Sequence, residues 1–208
     1  MYLIPPVPAV IIIAQNTVTN YLIQGVDKHK QGNPQGALID FTQALEINPK
    51  DAEVYYNRGV VYYELDKYQL ALEDINRSIK LKPDYPEAYY LRGLILSRSL
   101  LDEEATMDDF TQTIKLDSRF APAYFQRANL YYQQRELEKA FKDYTNVIDL
   151  ASEYAHAYYN RGLVLYQIGD RSSAIKDLEQ AAQLYFKQGE QSYYERTKRA
   201  IAAISQRL

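Results

Sequence analysis

Four arginines recur at nearly constant intervals and could together bind an anion. Arg58, Arg92, Arg127 and Arg161 are separated by 34, 35 and 34 residues. A guanidinium group presents a planar set of donors that pairs with phosphate or carboxylate. Four such groups in register would make an anion-binding surface, provided that they converge and are not neutralised inside the protein.

Acids with the same period offer internal partners for these arginines. The acids are separated by 35, 34 and 34 residues: Asp74, Asp109, Asp143 and Asp177. Because the two series keep the same period, we favour ion pairs between neighbouring helices over the anion-binding surface. Such pairs contribute little to stability where they are exposed, but they can fix the register between helices.

The residues around the arginines repeat as well. They form variants of Ala-Tyr-Tyr-Asn-Arg-Gly at 54–59, 88–93, 123–128 and 157–162, and a fainter copy ends at Gly25. A fixed period of 34 or 35 residues predicts stacked helical units rather than one globular core. The helices of these units must position any functional side chain.

The repeat resembles the tetratricopeptide repeat (TPR) family, in a bacterial form with this signature. Three positions carry the resemblance: a first-helix aromatic, a small residue one turn later, and a small residue in the second helix. They are Tyr21, Tyr55, Tyr89, Tyr124 and Tyr158; Gly25, Gly59, Gly93, Ala128 and Gly162; and Ala37, Ala71, Thr106, Ala140 and Ala174. The resemblance covers residues 18–186. It implies an all-α, right-handed α-solenoid of five helix-turn-helix units with a C-terminal capping helix.

The repeat also predicts the organisation of the chain. The five units occupy approximately 18–51, 52–85, 86–120, 121–154 and 155–188. Unit three carries one extra residue near Leu100–Glu103. Residues 189–208 have an apolar stripe typical of a helix that covers the last unit, formed by Tyr193, Thr197, Ile201, Ile204 and Leu208.

Residues 1–17 form an N-terminal segment, of which residues 1–14 are apolar and contain Pro5, Pro6 and Pro8. A membrane-spanning helix needs about 20 apolar residues, so this run is too short and too rich in proline. Three interpretations stay open: a fragmentary export signal, a hydrophobic arm packed over the first unit, and a loose tail.

Composition argues against several classes of function. The chain has 208 residues with a formal net charge of −3, so it lacks the basic character of a nucleic-acid scaffold. It has no cysteine and only two histidines, His29 and His156, far apart in sequence. We find no phosphate loop, nucleophile motif or metal-ligand spacing. The sequence therefore predicts no catalytic site, no metal and no cofactor.

The resemblance implies that the first helices line a concave groove that binds an extended peptide or a helix. Tyrosines there offer wide contact area, and amides can hydrogen-bond a partner's backbone. Alternatively, the tyrosines contact neighbouring first helices instead of a ligand. We expect a continuous aromatic strip of Tyr56, Tyr90, Phe125 and Tyr159. The full set of predicted groove residues is Tyr56, Asn57, Tyr63, Tyr90, Phe125, Gln126, Asn129, Tyr132, Tyr159, Asn160 and Tyr166.

A chaperone carboxylate clamp is not expected. Of the positions that grip acidic C-termini in that TPR subtype, only Asn57 matches, and Glu87 would repel a carboxylate. We therefore predict a non-enzymatic scaffold or assembly factor that binds a protein partner, with the cytoplasm favoured over the periplasm or a membrane surface. The alternatives are an exported or membrane-associated scaffold directed by the apolar N-terminus, and an accessory subunit of an enzyme complex.

Overall fold

A computed structural model of the chain describes residues 9–99 and 102–206. Within these residues the regular structure consists of eleven α-helices and no strand. The predicted all-α class of helix-turn-helix units is therefore confirmed. The helices are α1 (Ala9–Lys30), α2 (Pro34–Ile47), α3 (Ala52–Glu64), α4 (Tyr68–Leu81), α5 (Pro86–Ser99), α6 (Glu103–Leu116), α7 (Ala121–Gln133), α8 (Leu137–Leu150), α9 (Ala155–Gln167), α10 (Arg171–Lys187) and α11 (Gln191–Ser205).

The chain divides into two compact bodies between Asp109 and Phe110, inside α6. In the first body, α1 packs on α2 and α3 packs on α4, and α3 also contacts α1 and α5. In the second body, α7 packs on α8 and α9 packs on α10, while α11 packs on α10. The pairs α1–α2, α3–α4, α7–α8 and α9–α10 each join a first helix to the second helix of the same unit.

Polar caps set the beginning of several helices. The side chain of Asn33 accepts a hydrogen bond from the Gly36 amide at 2.9 Å, and Pro34 occupies the first helical position. Asp51 accepts from the amides of Glu53 and Val54, each at 3.1 Å. These side chains satisfy donors that a helix start leaves without an intrahelical partner.

Two glycines allow the paired helices to approach closely. A Cβ at Gly59 would lie 2.7 Å from Cδ1 of Ile75, and one at Gly162 would lie 3.1 Å from the Ala174 carbonyl oxygen. Both Ile75 and Leu178, which packs beside Gly162, are fully buried. At these two positions the small first-helix residue therefore allows the second helix to pack closely.

Part of the N-terminal segment belongs to the first helix. Helix α1 begins at Ala9 and runs through residues 9–17 into unit one. No proline falls between Ala9 and Lys30, and nothing therefore interrupts the helix before the turn at Gly32. Residues 1–8 lie outside the described residues, and the export-signal and arm interpretations stay predictions.

The C-terminal helix α11 lies against the last unit. Thr197 and Ile204 are buried, and Tyr194 packs against the core of α9 and α10. Tyr193 is 41% exposed, although its ring stacks on Tyr185 at 5.2 Å. Leu208 lies outside the described residues. In the described part of the chain, no helix combines the length and the apolar character needed to cross a membrane.

Candidate partner-binding groove

The arginine series pairs internally, as predicted. Each guanidinium donates from Nε and Nη2 to both carboxylate oxygens of an aspartate on the second helix of its own unit, at 2.7–3.0 Å. The acids are almost completely buried. Because the aspartates neutralise the four guanidiniums, the alternative prediction of an anion-binding surface is wrong. The pairs are Arg58–Asp74, Arg92–Asp109, Arg127–Asp143 and Arg161–Asp177.

Each arginine also bonds to the second helix of the preceding unit, which the sequence analysis missed. Nη1 donates to a threonine or asparagine oxygen at 3.0–3.2 Å, so that one guanidinium joins three helices. A sequence signal existed, because the acceptors recur at the repeat period. They are Thr42, Asn76, Thr111 and Thr145.

Unit one holds a variant of the same pair. Lys28 donates to Asp40 at 2.9 Å, and Asp40 precedes Asp74 by one repeat. Lys28 lies one helical turn after Gln24, which occupies the arginine position. Because of this displacement by one turn, the fixed spacing of the arginine–aspartate pairs does not predict the pair of Lys28 and Asp40.

In the first body, Tyr56 packs against an aromatic residue from the turn before α5. The rings of Tyr56 and Tyr85 are 4.9 Å apart with an interplanar angle of 47°. Burial raises the pKa of Tyr56, and the charge of Glu87 raises it further. Tyr56 is only half-buried, and it therefore serves both in the contact between units and at the surface.

Asn57 and Tyr63 on the same helix α3 are also half-buried. The amide nitrogen of Asn57 donates one of its two hydrogens to the Glu53 carbonyl oxygen at 2.8 Å. The guanidinium of Arg98 lies 5.4 Å from the centre of the Tyr63 ring. Tyr90 is half-buried on α5, the neighbour of α3.

In the second body, two predicted groove amides bond to each other. Asn129 accepts hydrogen bonds from the Tyr144 hydroxyl at 2.7 Å and from the Asn160 amide at 3.1 Å. Tyr144 is almost fully buried, and burial raises its pKa well above the usual range. The arrangement gives Asn129 an internal role that joins α7, α8 and α9.

The aromatics of the second body are also in contact with other elements. Phe125 lies 5.0 Å from Tyr154 and 5.9 Å from Tyr144, ring centre to ring centre. The guanidinium of Arg196 on α11 lies 5.5 Å from the centre of the Tyr159 ring. The terminal helix therefore covers part of Tyr159.

Of the remaining predicted groove residues of this body, Tyr132 and Tyr166 lie towards the ends of α7 and α9, and Gln126 lies in the middle of α7. The Gln167 amide donates to the Tyr132 hydroxyl and accepts from Arg135 at 2.8 Å. Gln126 and Tyr166 are half-buried. Polar contacts therefore join the two first helices of this body at one end of the predicted groove.

Comparison with known proteins identifies the repeat. Tetratricopeptide repeat models match residues 52–85 and 155–189, and a TPR repeat model matches residues 27–66 and 128–169. This chain is a tetratricopeptide repeat protein. No curated protein sequence matches it.

Several solved structures resemble this TPR protein. The MamA protein is 25% identical, with 85% of this chain and 96% of that chain aligned at a TM-score of 0.70. YrrB, described as a TPR protein with an unusual peptide-binding site, is 20% identical over 86% and 90% of the two chains, with a TM-score of 0.68. TTC0263, a thermophilic TPR protein from Thermus thermophilus, is 20% identical over 89% and 99%, with a TM-score of 0.63. At 20% identity, the last two likenesses establish the fold alone.

The predicted aromatic strip of the TPR protein is divided between its two bodies. Tyr56 and Tyr90 belong to the first, and Phe125 and Tyr159 belong to the second. A strip that runs through both stays a prediction. Sequence reasoning missed Tyr85 and Tyr154, the turn residues that pack on Tyr56 and Phe125. The signal available was an aromatic residue directly before three of the first helices, at Tyr85, Phe120 and Tyr154.

Metal ligation finds no candidate in the described residues of the TPR protein. No group of three or more histidine, aspartate or glutamate side chains lies in an arrangement that could hold a metal ion there. The four regularly spaced arginines form ion pairs with the four regularly spaced aspartates. The half-exposed aromatics and amides on the first helices are therefore the best candidates for a functional surface.

Proposed function

We propose that this TPR protein is a non-enzymatic scaffold or assembly factor that binds a peptide or a helix of a protein partner along its first helices. The observation that carries the proposal is the state of the aromatic residues at the groove positions. Tyr56 and Phe125 each pack on an aromatic residue of the turn before the next first helix, and Tyr56, Tyr90 and Phe125 all keep part of their surface in solvent. Fixed, partly exposed aromatics supply contact area at low entropic cost.

Helix α1 presents an exposed apolar residue at a groove level. Ile23 on α1 is 54% exposed, one position after Leu22, which is the counterpart of Tyr56 in unit one. Exposed apolar area next to aromatics is typical of interaction sites. The similarity in fold to YrrB, whose structure is described as having a peptide-binding site, supports a peptide or helix as the ligand.

The internal pairing of the arginines supports the same choice of surface. The guanidiniums lie between the helices of a unit, where they hold the units in register. The repeat therefore uses one face of each first helix for assembly and leaves another face for a partner. The proposed function is binding alone, and a surface that only binds a partner needs neither a nucleophile nor a charge relay.

The test uses the double variant Tyr90→Ala/Phe125→Ala. Proteins that co-purify with the native chain are identified by mass spectrometry, and the strongest stoichiometric partner is then purified and titrated by calorimetry. We expect the double variant to bind at least about tenfold more weakly, because each lost aromatic anchor costs on the order of 1–2 kcal/mol. Helix content, measured by circular dichroism, should change little.

A matched control separates groove binding from general apolar loss. The variant Ile39→Ala/Leu150→Ala removes two exposed apolar side chains from second helices and should bind normally. If the groove variant binds as tightly as wild type, the partner uses another surface. If the groove variant loses its helix content together with binding, the aromatics are part of the core and the proposal fails.

A further inference from the structure

Two acids flank the tyrosine pair of the first body. Glu53 lies in the first turn of α3 and Glu87 in the first turn of α5, and α3 and α5 are neighbours. Glu53 is exposed and Glu87 is half-buried. Neither belongs to an ion pair among the described residues. Their charges are therefore available to a partner.

The two carboxylates lie close enough to act on the aromatic rings. Burial is the main reason that the pKa of Tyr85 rises above its usual range, and Tyr56, Glu87 and Glu53 raise it further. Glu87 also raises the pKa of Tyr56. The negative charges and the ring pair therefore form one local site.

Tyrosine rings in this part of the chain already hold cations. The ammonium of Lys82 lies 4.5 Å from the centre of the Tyr85 ring, and the guanidinium of Arg98 lies 5.4 Å from that of Tyr63. Both distances are within the range of a cation–π interaction. At the tyrosine pair, the carboxylates of Glu53 and Glu87 add two negative charges beside the ammonium of Lys82.

Asn57 adds an acceptor to the site. Its amide nitrogen donates one of its two hydrogens to the Glu53 carbonyl oxygen, and its side-chain oxygen can accept a hydrogen bond from a ligand. The site therefore presents two carboxylates, an amide oxygen and a ring face. This set of groups is complementary to a donor that carries positive charge.

We propose that this end of the groove, formed by Glu53, Tyr56, Asn57, Tyr85 and Glu87, binds a lysine or arginine side chain of a basic segment in the partner protein. The inference rests on the proposed function and specifies the chemistry of the partner. The ring of Tyr56 packs on the alkyl part of the basic side chain, and the carboxylates receive its charged end.

A purely local role of the acids is the competing explanation, since a carboxylate in the first turn of a helix interacts favourably with the helix dipole. That role would suit every first helix. The corresponding positions of α7 and α9 carry Pro122 and His156 instead. The acids are therefore confined to the part of the repeat where they flank the Tyr56–Tyr85 pair.

The test uses three fluorescein-labelled peptides that are identical except for lysine, glutamine or glutamate at the same positions. Anisotropy titrations are made with the full chain at low and at physiological salt. We expect the lysine peptide to bind at least about tenfold more tightly than the glutamate peptide, with affinity that falls as salt is added. The variant Glu53→Gln/Glu87→Gln should lose most of this preference.

The matched control is Glu46→Gln/Glu73→Gln, which makes the same change in net charge at exposed positions of second helices. It should retain the preference. Equal losses in the two variants, or no loss in the groove variant, would overturn the proposal. So would the absence of binding of the lysine peptide at millimolar concentration.

One further outcome distinguishes this inference from the proposed function. If the glutamine peptide binds best and the variant Tyr56→Leu weakens it, the groove binds partners but has no preference for cations. The inference then fails while the proposed function stands.

Discussion

Arg161 donates a hydrogen bond from Nη1 to the Thr145 hydroxyl, 3.1 Å away on the second helix of the preceding repeat. The same guanidinium holds Asp177 through Nε and Nη2 at 2.7 and 2.9 Å. The ring centre of Tyr158 lies 5.8 Å from the guanidinium carbon. One side chain therefore fixes both the helix pair of its own unit and the contact with the unit before it.

Breaking this ion pair should destabilise the second body strongly. Asp177→Ala leaves Arg161 without its buried partner, and we expect the free energy of unfolding to fall by about 3 kcal/mol. Thr145→Val removes the contact between units, together with the hydrogen bond that the Thr145 hydroxyl donates to the Phe141 carbonyl oxygen, and should cost about 1 kcal/mol. Urea unfolding followed by circular dichroism measures both. Lys187→Ala, which breaks the exposed pair with Glu153, is the control and should change stability little. Equal effects of Asp177→Ala and this control would contradict the account.

Gly162→Ala should destabilise the protein although alanine favours helices. In an exposed helix the replacement would stabilise by about 1 kcal/mol. Here the added Cβ would lie 3.1 Å from the Ala174 carbonyl oxygen and 3.0 Å from Cγ of Leu178, and we expect a loss of about 1–3 kcal/mol. Thermal unfolding of the variant is the measurement, and Ser172→Ala in the exposed first turn of α10 is the control. A higher melting temperature for Gly162→Ala would show that the helices do not approach this closely.

The periodic part of the fold was predictable because equal positions in stacked units meet equal surroundings. The arginine–aspartate pairs illustrate this, and the extra residue of unit three only changed the spacing of Arg92 and Asp109 from 16 to 17 residues. The pair of Lys28 and Asp40 was missed because a long side chain reaches its acid from one turn further along the helix. Fixed spacing cannot represent that freedom of a side chain.

The candidate site was less predictable than the fold. Asn129 and Asn160 have groove positions and polar side chains, but a buried tyrosine hydroxyl, that of Tyr144, needs an acceptor and recruits them. Tyr85 packs on Tyr56 from a turn, where backbone geometry decides the direction of a side chain. A repeat pattern identifies which residues occupy equal positions in their units. It does not identify which of these residues will be covered by a side chain from a neighbouring turn.

Asn129→Ala tests the internal role assigned to the amides. The substitution leaves the Tyr144 hydroxyl and the Asn160 amide without their acceptor, and we expect a loss of stability of about 1–3 kcal/mol. Partner affinity should be measured well below the melting temperature. It should change by less than about threefold, because the loss of a direct hydrogen bond to the partner would change it by more. Asn57→Ala is the matched variant, with little expected effect on stability, because Asn57 bonds only to its own helix. A large loss of affinity with unchanged stability in Asn129→Ala would assign Asn129 to the partner surface instead.

His156 should make the C-terminal end of the repeat sensitive to acid. Its ring contacts those of Tyr154, Tyr185 and Tyr193, and burial lowers its pKa while Glu190 opposes this effect. A histidine with a lowered pKa in the folded state binds a proton less readily than in the unfolded chain. The stability that the neutral His156 contributes is therefore fully present above about pH 6.5, and it is lost as the pH falls towards the lowered pKa of His156 in the folded state.

The variant His156→Phe isolates this effect because phenylalanine keeps an aromatic ring but cannot be protonated. We expect the wild-type chain to lose stability relative to the variant as the pH is lowered from about 7.5 to about 5, a range that spans the ordinary histidine pKa. The measurement is the shift in the urea midpoint. A constant difference between the two proteins over this range would show that His156 does not titrate differently in the folded and unfolded states.

Site-specific photo-cross-linking tests the proposed groove most directly. A benzophenone amino acid replaces Asn57 or Gln126 on the first helices. In separate samples it replaces Ile39 or Lys142, whose side chains are exposed on second helices. Each sample is irradiated with the purified partner. The account predicts covalent adducts from the two first-helix positions and none from the second-helix positions. Adducts from Ile39 or Lys142, with none from Asn57 and Gln126, would contradict it.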